Sequence, residues 1–180
     1  MILGVVLAGG QSSRFGSDKA LAMLGGRSLL SRSVGALGAW CDTVVIAGRE
    51  SGPETGATRC IPDWPAPGMG PLGGVAAGLR HANENGFDSV MTCSVDSFDL
   101  PADLPELLAR PPCYLGDQPV IGHWPANAAA AVETILASDS KHSMREFAEA
   151  IGAINVKSGA KPANINTPAD LAAAEKRNGI

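Results

Sequence analysis

Residues able to do chemistry gather in three short segments of the chain. The first, LAGGQSSRFGSDK at residues 7–19, follows an apolar run and sets glycines and serines beside Arg14 and Lys19. Gly9 and Gly10 let the backbone pass close to a ligand, consecutive N–H groups can point at phosphate oxygens, and the two cations supply charge. The segment suits an anion; a solvated surface loop of the same composition is the alternative. Residues 1–32 hold Arg14, Lys19, Arg27 and Arg32 against Asp18 alone, in a chain that is acidic as a whole. Gly16 is followed by Ser17-Asp18-Lys19, so the Gly-Lys-Ser/Thr end of a Walker A loop is missing.

The second segment, Gly68-Met69-Gly70-Pro71-Leu72-Gly73, fits G-x-G-x-x-G and precedes a helical pattern. A dinucleotide site needs a central strand just before it. The residues there are DWPAP, whose prolines cannot sit in one, so PAPGMGPLGG reads as a loop ahead of a helix N-terminus. The third segment is Asp96, at the end of the strand-like run SVMTCSV and followed by Ser97-Phe98-Asp99. A carboxylate at the carboxyl end of a parallel strand faces the ligand crevice, and opposite a phosphate it calls for a cation, Mg²⁺ by its preference for oxygen. Capping the next helix is an equal alternative for Asp96 or Asp99.

The elements that must position these residues are legible from periodicity. Apolar runs at 2–7, 43–48 and 89–95 predict strands, the first of them central and parallel, and 61–63 and 153–157 predict shorter ones. Helical spacing covers 27–40, 72–84, 101–110 and 126–137. Ser143-x-x-Glu146 opens a further helix, and Thr167-Pro168 with Asp170 opens the last. CYLG and PVIGHW around Gly116-Asp117-Gln118 predict a hairpin, expected to be the sole antiparallel element. Strands alternating with helices imply an α/β fold of three layers, a mainly parallel sheet with helices on both faces and ligands at the strands' carboxyl ends.

With 180 residues the chain has room for one domain, taken as residues 1–180, and its 45% hydrophobic content marks a folded protein. A net charge of −4 argues against a polyanion such as nucleic acid or a membrane surface as main partner. Cys41, Cys60, Cys93 and Cys113 lack any paired spacing and read as buried, reduced thiols; His81, His123 and His142 fit no metal-ligand pattern. The apolar start has no basic segment ahead of it and is soon interrupted by glycines, so a cytoplasmic location is expected.

The blocks LAGGQSSRFGSDK, IPDWPAPGMGPLGGVAAGL, VDSFDLP, QPVIGHWP and NINTPADL, in this order and spanning residues 3 to about 175, resemble the molybdenum cofactor guanylyltransferases of the MobA-like nucleotidyltransferase family. The resemblance implies a Rossmann-like nucleotidyltransferase fold. It also implies transfer of GMP from GTP to the terminal phosphate of molybdopterin carrying molybdenum, with release of pyrophosphate, and transient contacts with molybdenum-insertion or molybdoenzyme-maturation proteins. By position, Leu7, Ala8, Gly9 and Gly10 would meet the nucleotide through backbone groups, Arg14 and Lys19 would hold its phosphates, Asp63 would be a further nucleotide contact, and Asp96 would hold Mg²⁺. Asn164, Asn166 and His123 match the acceptor side; a turn before the last helix is the plain alternative for the two asparagines. Trp64 and Trp124 could stack on a flat ring, or simply pack.

Two departures from the family stand out. Val95-Asp96-Ser97-Phe98 replaces a common Cys-Asp-x-Pro, and Ile46 stands where some members have an asparagine that touches the nucleotide. Alternatives are a cytidylyltransferase acting on the same cofactor, another small-phosphate nucleotidyltransferase, and a nucleotide-binding regulatory homologue without turnover. Gly9-Gly10 and PGMGPLGG favour the guanylyl reading, and NINTPADL speaks against a sugar-phosphate or isoprenoid substrate.

Overall fold

A computed structural model describes residues 1–10, 18–159 and 162–178. Arg14 and the rest of 11–17 lie outside the described residues. The elements, in chain order, begin with β1 (Ile2–Leu7), β2 (Met23–Leu24), β3 (Arg27–Ser28), α1 (Leu29–Gly38), β4 (Thr43–Ala47), β5 (Arg59–Ile61), α2 (Gly70–Glu84), β6 (Ser89–Ser94) and β7 (Ser97–Phe98). They continue with α3 (Leu104–Leu107), β8 (Cys113–Leu115), β9 (Gln118–Pro125), α4 (Ala129–Leu136), α5 (Met144–Ala150), β10 (Ile154–Val156), β11 (Ala163–Asn164) and α6 (Pro168–Asn178).

Seven strands form one sheet in the order β10-β8-β9-β6-β1-β4-β5. β1 lies between β4 and β6, parallel to both, with Val5 opposite Val45 on one side and Thr92 on the other. β9 alone runs against the other six, being antiparallel to both β6 and β8. The hairpin is therefore present as expected, but it is not the sole antiparallel element: β9 also crosses back onto β6, and β7–β11 and β2–β3 form two antiparallel ribbons. No local sequence signal sets which neighbour a returning strand joins. The strand expected at 61–63 is Arg59–Ile61 instead, because Pro62 has no N–H to continue the ladder.

The period-2 alternation of β1 feeds two layers. Leu3, Val5 and Leu7 pack under α2, α4 and α5 with Leu72, Leu79, Val132 and Phe147, whereas Val6 packs with Leu30, Leu37, Ile46, Leu104 and Leu108 beneath α1 and α3. Helix α2 approaches β1 closely: a Cβ on Gly78 would lie 2.7 Å from Val5 Cγ2, and one on Gly74 the same distance from Leu7 Cδ2. A third, smaller cluster of Leu24, Leu29, Phe98, Ile165 and Ala174 binds β2, β7, β11 and α6 together.

The helix starts follow their capping residues. Ser143 Oγ accepts from Glu146 N at 3.1 Å, and Thr167 Oγ1 accepts from Asp170 N at 3.2 Å while Asp170 Oδ2 accepts from Thr167 N at 2.8 Å. All four cysteines are free thiols; Cys93 and Cys113 are buried, Cys41 and Cys60 half-buried. Among the described residues no helix is long and apolar enough to cross a membrane.

Candidate functional site

The carboxyl ends of β1, β4, β5 and β6 open onto a cavity of about 400 Å³. Its floor is Leu7, Ala8, Gly9 and Gly10, the residues where β1 runs out of the sheet. Ala8 N–H donates to Ala47 O at 2.9 Å and Val95 N–H donates to Leu7 O at 3.2 Å, so the exit from β1 is held on both sides. The backbones of Gly9 and Gly48 nearly touch. Gly48 has φ +77°, and a Cβ there would lie 2.8 Å from Gly9 N.

Lys19 and Asp96, 77 residues apart in sequence, meet in this cavity with Nζ 2.9 Å from Oδ2. Lys19 sits in a short 3₁₀ turn, Lys19–Leu21, capped by Asp18, whose Oδ1 accepts from Ala20 N at 3.1 Å. Asp18 is in turn paired with Arg49, and Arg49 Nε lies 3.6 Å from Glu54 Oε1. The Arg49 guanidinium holds the Asp18 carboxyl below the usual carboxylate range. Asp96 follows β6, and its Oδ1 accepts from Ser94 Oγ.

Asp63 comes from the loop after β5 and is half-buried against Gly9, Gly48 and Gly74. Burial pushes its carboxyl up from the ordinary value. The loop carrying it is fixed by Trp64 N–H donating to Gly73 O at 3.1 Å and by the Arg80 guanidinium over the Trp64 ring, 5.2 Å from its centroid. Gly70, Pro71 and Gly74 present the N-terminus of α2 to the same cavity, as expected of PAPGMGPLGG. Asp117, Gln118, Pro119 and Val120 from the hairpin, and Asn164 from β11, complete the lining.

Two acceptor-side expectations meet a different structure. His123 is buried, its ring within 2.7 Å of both Leu108 O and Ser89 Oγ, and it does not line the cavity. It lies five residues along β9 from Gln118, roughly 17 Å at strand rise, toward the opposite end of the sheet. Asn166 is exposed and outside the cavity; its backbone N–H donates to Asp170 Oδ2 at 2.9 Å and so closes the cap of α6. Trp124 is fully buried, stacked on Tyr114 and donating Nε1–H to Thr92 Oγ1 at 2.9 Å, which makes it a core residue.

Three residues of the site escape a reading of the sequence. Arg49 stands directly after the end of β4, a position that could have drawn attention; Ser94 and Gln118 carry no local signal.

Asp96 does not belong to a carboxylate cluster: the described residues contain no group of three His, Cys, Asp or Glu able to hold an ion. Around the Asp96 turn the cavity offers a cation the Asp96 carboxylate and the Ser94 hydroxyl, with the Asn164 side-chain amide on the adjoining strand. That all-oxygen set, with open space beside it for phosphate oxygens, fits Mg²⁺, which is commonly held by one or two carboxylates plus substrate phosphates.

Residues 4–154 match the model of the MobA-like NTP transferase domain. The chain belongs to this family. It is a nucleotidyltransferase. Among its MobA-like relatives, the molybdenum cofactor guanylyltransferase of Rhizobium leguminosarum bv. trifolii (strain WSM2304) is 35% identical, the match covering 97% of this chain and 92% of that one. The enzyme of the same name from Rhodobacter capsulatus is 34% identical over 98% and 96%. The structure of molybdopterin-guanine dinucleotide biosynthesis protein A from Archaeoglobus fulgidus superposes with a TM-score of 0.73 at 22% identity, over 98% of each chain. The 2-C-methyl-D-erythritol 4-phosphate cytidylyltransferase of Thermus thermophilus, with a TM-score of 0.65 at 18% identity over the whole of each chain, shares the fold.

Proposed function

We propose that this chain, acting as one catalytic domain in the cytoplasm, transfers GMP from GTP to the terminal phosphate of molybdopterin carrying molybdenum and releases pyrophosphate. The observation that carries the reading is the Lys19–Asp96 pair set over the glycine exit of β1, in a cavity that also holds Asp63 and Asn164. The guanylyltransferase relatives at 34–35% identity over nearly the whole chain support the choice of donor and acceptor.

The acceptor phosphate is ionised at neutral pH, so one of its oxygens attacks the α-phosphorus directly. The new P–O bond forms as the bond between the α-phosphorus and the bridging oxygen breaks, and that oxygen leaves with pyrophosphate. No general base is needed, and the protein's task is alignment and charge neutralisation. Backbone groups of Leu7, Ala8, Gly9 and Gly10 receive the nucleotide, with Asp63 beside them. Lys19 carries positive charge toward the phosphates, and the family resemblance gives Arg14 the same role. Lys19 also orients Asp96 through their ion pair, and Asp96 with Ser94 would hold Mg²⁺, which would supply neutralisation of phosphate charge. Asn164, on the strand beside the Asp96 turn, meets the acceptor. Transient contact with maturation proteins would deliver the acceptor and take the product.

The test is pyrophosphate release from purified protein given Mo-molybdopterin, Mg²⁺ and either GTP or CTP. Release with GTP and formation of the guanine dinucleotide are expected. Release with CTP alone would overturn the choice of base, and nucleotide binding without release would overturn the assignment of turnover.

A further inference from the structure

One buried polar side chain lining the cavity joins the main sheet to segments outside it. Gln118, the first residue of β9, is 5% exposed, yet both ends of its amide are used. Its Nε2 donates to Pro162 O, just before β11, and its Oε1 accepts from Ser97 Oγ of β7 at 3.3 Å. Ser97 Oγ is also 3.1 Å from Ser94 Oγ, and Ser94 donates to Asp96 Oδ1. A line of side-chain hydrogen bonds thus runs from the Asp96 carboxylate through two serines to Gln118, and from there to the backbone ahead of Asn164.

The polarity of this line is determined. Pro162 O can only accept, so it takes the NH₂ end of the amide and leaves Oε1 facing Ser97. Ser94 spends its one proton on Asp96, so the single Ser97 proton is shared between Ser94 Oγ and Gln118 Oε1. Every side chain in the line has a partner, which is the condition under which a polar network rigidifies its surroundings.

The elements so joined lie outside the main sheet. β7 and β11 are a two-residue ribbon, Ala163 opposite Phe98 and Asn164 opposite Ser97, outside the seven-stranded sheet. Ile165 N–H donates to Asp96 O at 3.0 Å and holds the ribbon to the turn that bears the carboxylate. Gln118 ties β9 of the main sheet to Ser97 of β7 and to Pro162, the residue before β11.

We infer that Gln118 is a positioning residue: it fixes the turn that bears the Asp96 carboxylate and the adjoining strand that bears Asn164, and so tunes the cation held there with the triphosphate. This rests on the role proposed above for Asp96. Groups that hydrogen-bond to a metal ligand and orient it change metal affinity or activity by roughly 10–100-fold when removed.

The test uses Mn²⁺ as a spectroscopic substitute for Mg²⁺, its binding in the presence of a non-hydrolysable GTP analogue followed by loss of the free-ion EPR signal. Gln118→Met keeps the length of the side chain and removes both hydrogen bonds, and Ser97→Ala removes one hydroxyl from the middle of the line. Cation affinity is expected to fall about tenfold in Gln118→Met and several-fold in Ser97→Ala, with kcat falling, KM for GTP nearly unchanged, and activity partly restored by excess Mg²⁺. If wild type binds the cation with the analogue and both variants match its affinity, the positioning role is wrong while the functional reading stands. If wild type itself shows no nucleotide-dependent cation binding, the role of Asp96 fails and this inference fails with it. A Gln118→Met protein that does not fold leaves Ser97→Ala to decide by the same affinity.

Discussion

Replacing Lys19 by methionine keeps the aliphatic stem and removes only the charge, so it separates what this residue does for the fold from what it does for the reaction. At 2.9 Å, and with the two side chains 16% and 24% exposed, the gross attraction to Asp96 is about 6 kcal/mol at an effective dielectric constant of about 20. Most of that is cancelled by desolvation and by ordering two side chains. Exposed pairs net about 0.2–1 kcal/mol, and breaking a fully buried one costs about 3–5 kcal/mol. Asp96 keeps some contact with solvent, so the variant should lose roughly 1.5 kcal/mol, a melting point lower by about 3–6 °C at this chain length. If Lys19 faces the leaving pyrophosphate as proposed, removing its charge costs far more in rate, about 10²–10³-fold by analogy with the loss of one preorganised donor. The double variant Lys19→Met/Asp96→Asn no longer holds an orphaned carboxylate and should recover most of the lost stability and none of the activity. Melting curves and pyrophosphate release on the three proteins are the assay. Turnover by Lys19→Met within about threefold of wild type would refute the role in transfer, and a double variant no more stable than the single would refute the account of the pair.

Asp63 makes a prediction about pH. Burial raises its folded value above that of the unfolded chain, so between the two the folded state holds more protons and stability falls as pH rises; above both the penalty persists. Asp63→Asn should therefore melt higher than wild type at neutral pH, with the gap closing below about pH 4, the unfolded range, while losing affinity for nucleotide; melting curves across pH with and without GTP check both halves. Gly9→Ala would place a Cβ 2.7 Å from Asp63 Oδ2 and 3.1 Å from Gly48 Cα, and since backbone cannot yield as a side chain can, nucleotide-induced stabilisation should largely disappear in thermal unfolding. Phe98→Ala empties the centre of the small cluster that anchors β7 and α6, and urea unfolding should show a loss of about 3 kcal/mol.

How far the sequence could be read follows from which forces place each element. β1, β4 and β6 are buried on both faces, so their apolar runs announce them, and with them the glycine exit, Asp96 at its strand end and the α2 N-terminus. The caps at Ser143 and Thr167 are equally local and equally plain. Failures begin where placement depends on partners far away in sequence. The turn of the hairpin is written in Gly116-Asp117, but the pairing of β9 with β6 is decided by the whole sheet, and that pairing carries His123 away from the cavity and brings Gln118 to it. Asn164 and Asn166, two residues apart in NINTPADL, part company because only Asn164 lies in the ribbon opposite Ser97, whereas Asn166 belongs to a helix cap.

The loss of a proline after Asp96 shows the same division. A proline there would restrict the turn locally through its own ring. Here Ser97 and Phe98 take that stretch as a strand, and what fixes it comes from elsewhere: Phe98 is packed against Leu24, Leu29 and Ile165, and Ser97 is tied to Gln118. A local restraint is replaced by two distant ones, hydrophobic on one side of the ribbon and polar on the other. The carboxylate can be held as firmly by either design, but the second makes its position depend on β9, β11 and α6 at once. A disturbance at the proposed acceptor side would then be felt at the proposed cation site, a coupling that a proline turn would not require.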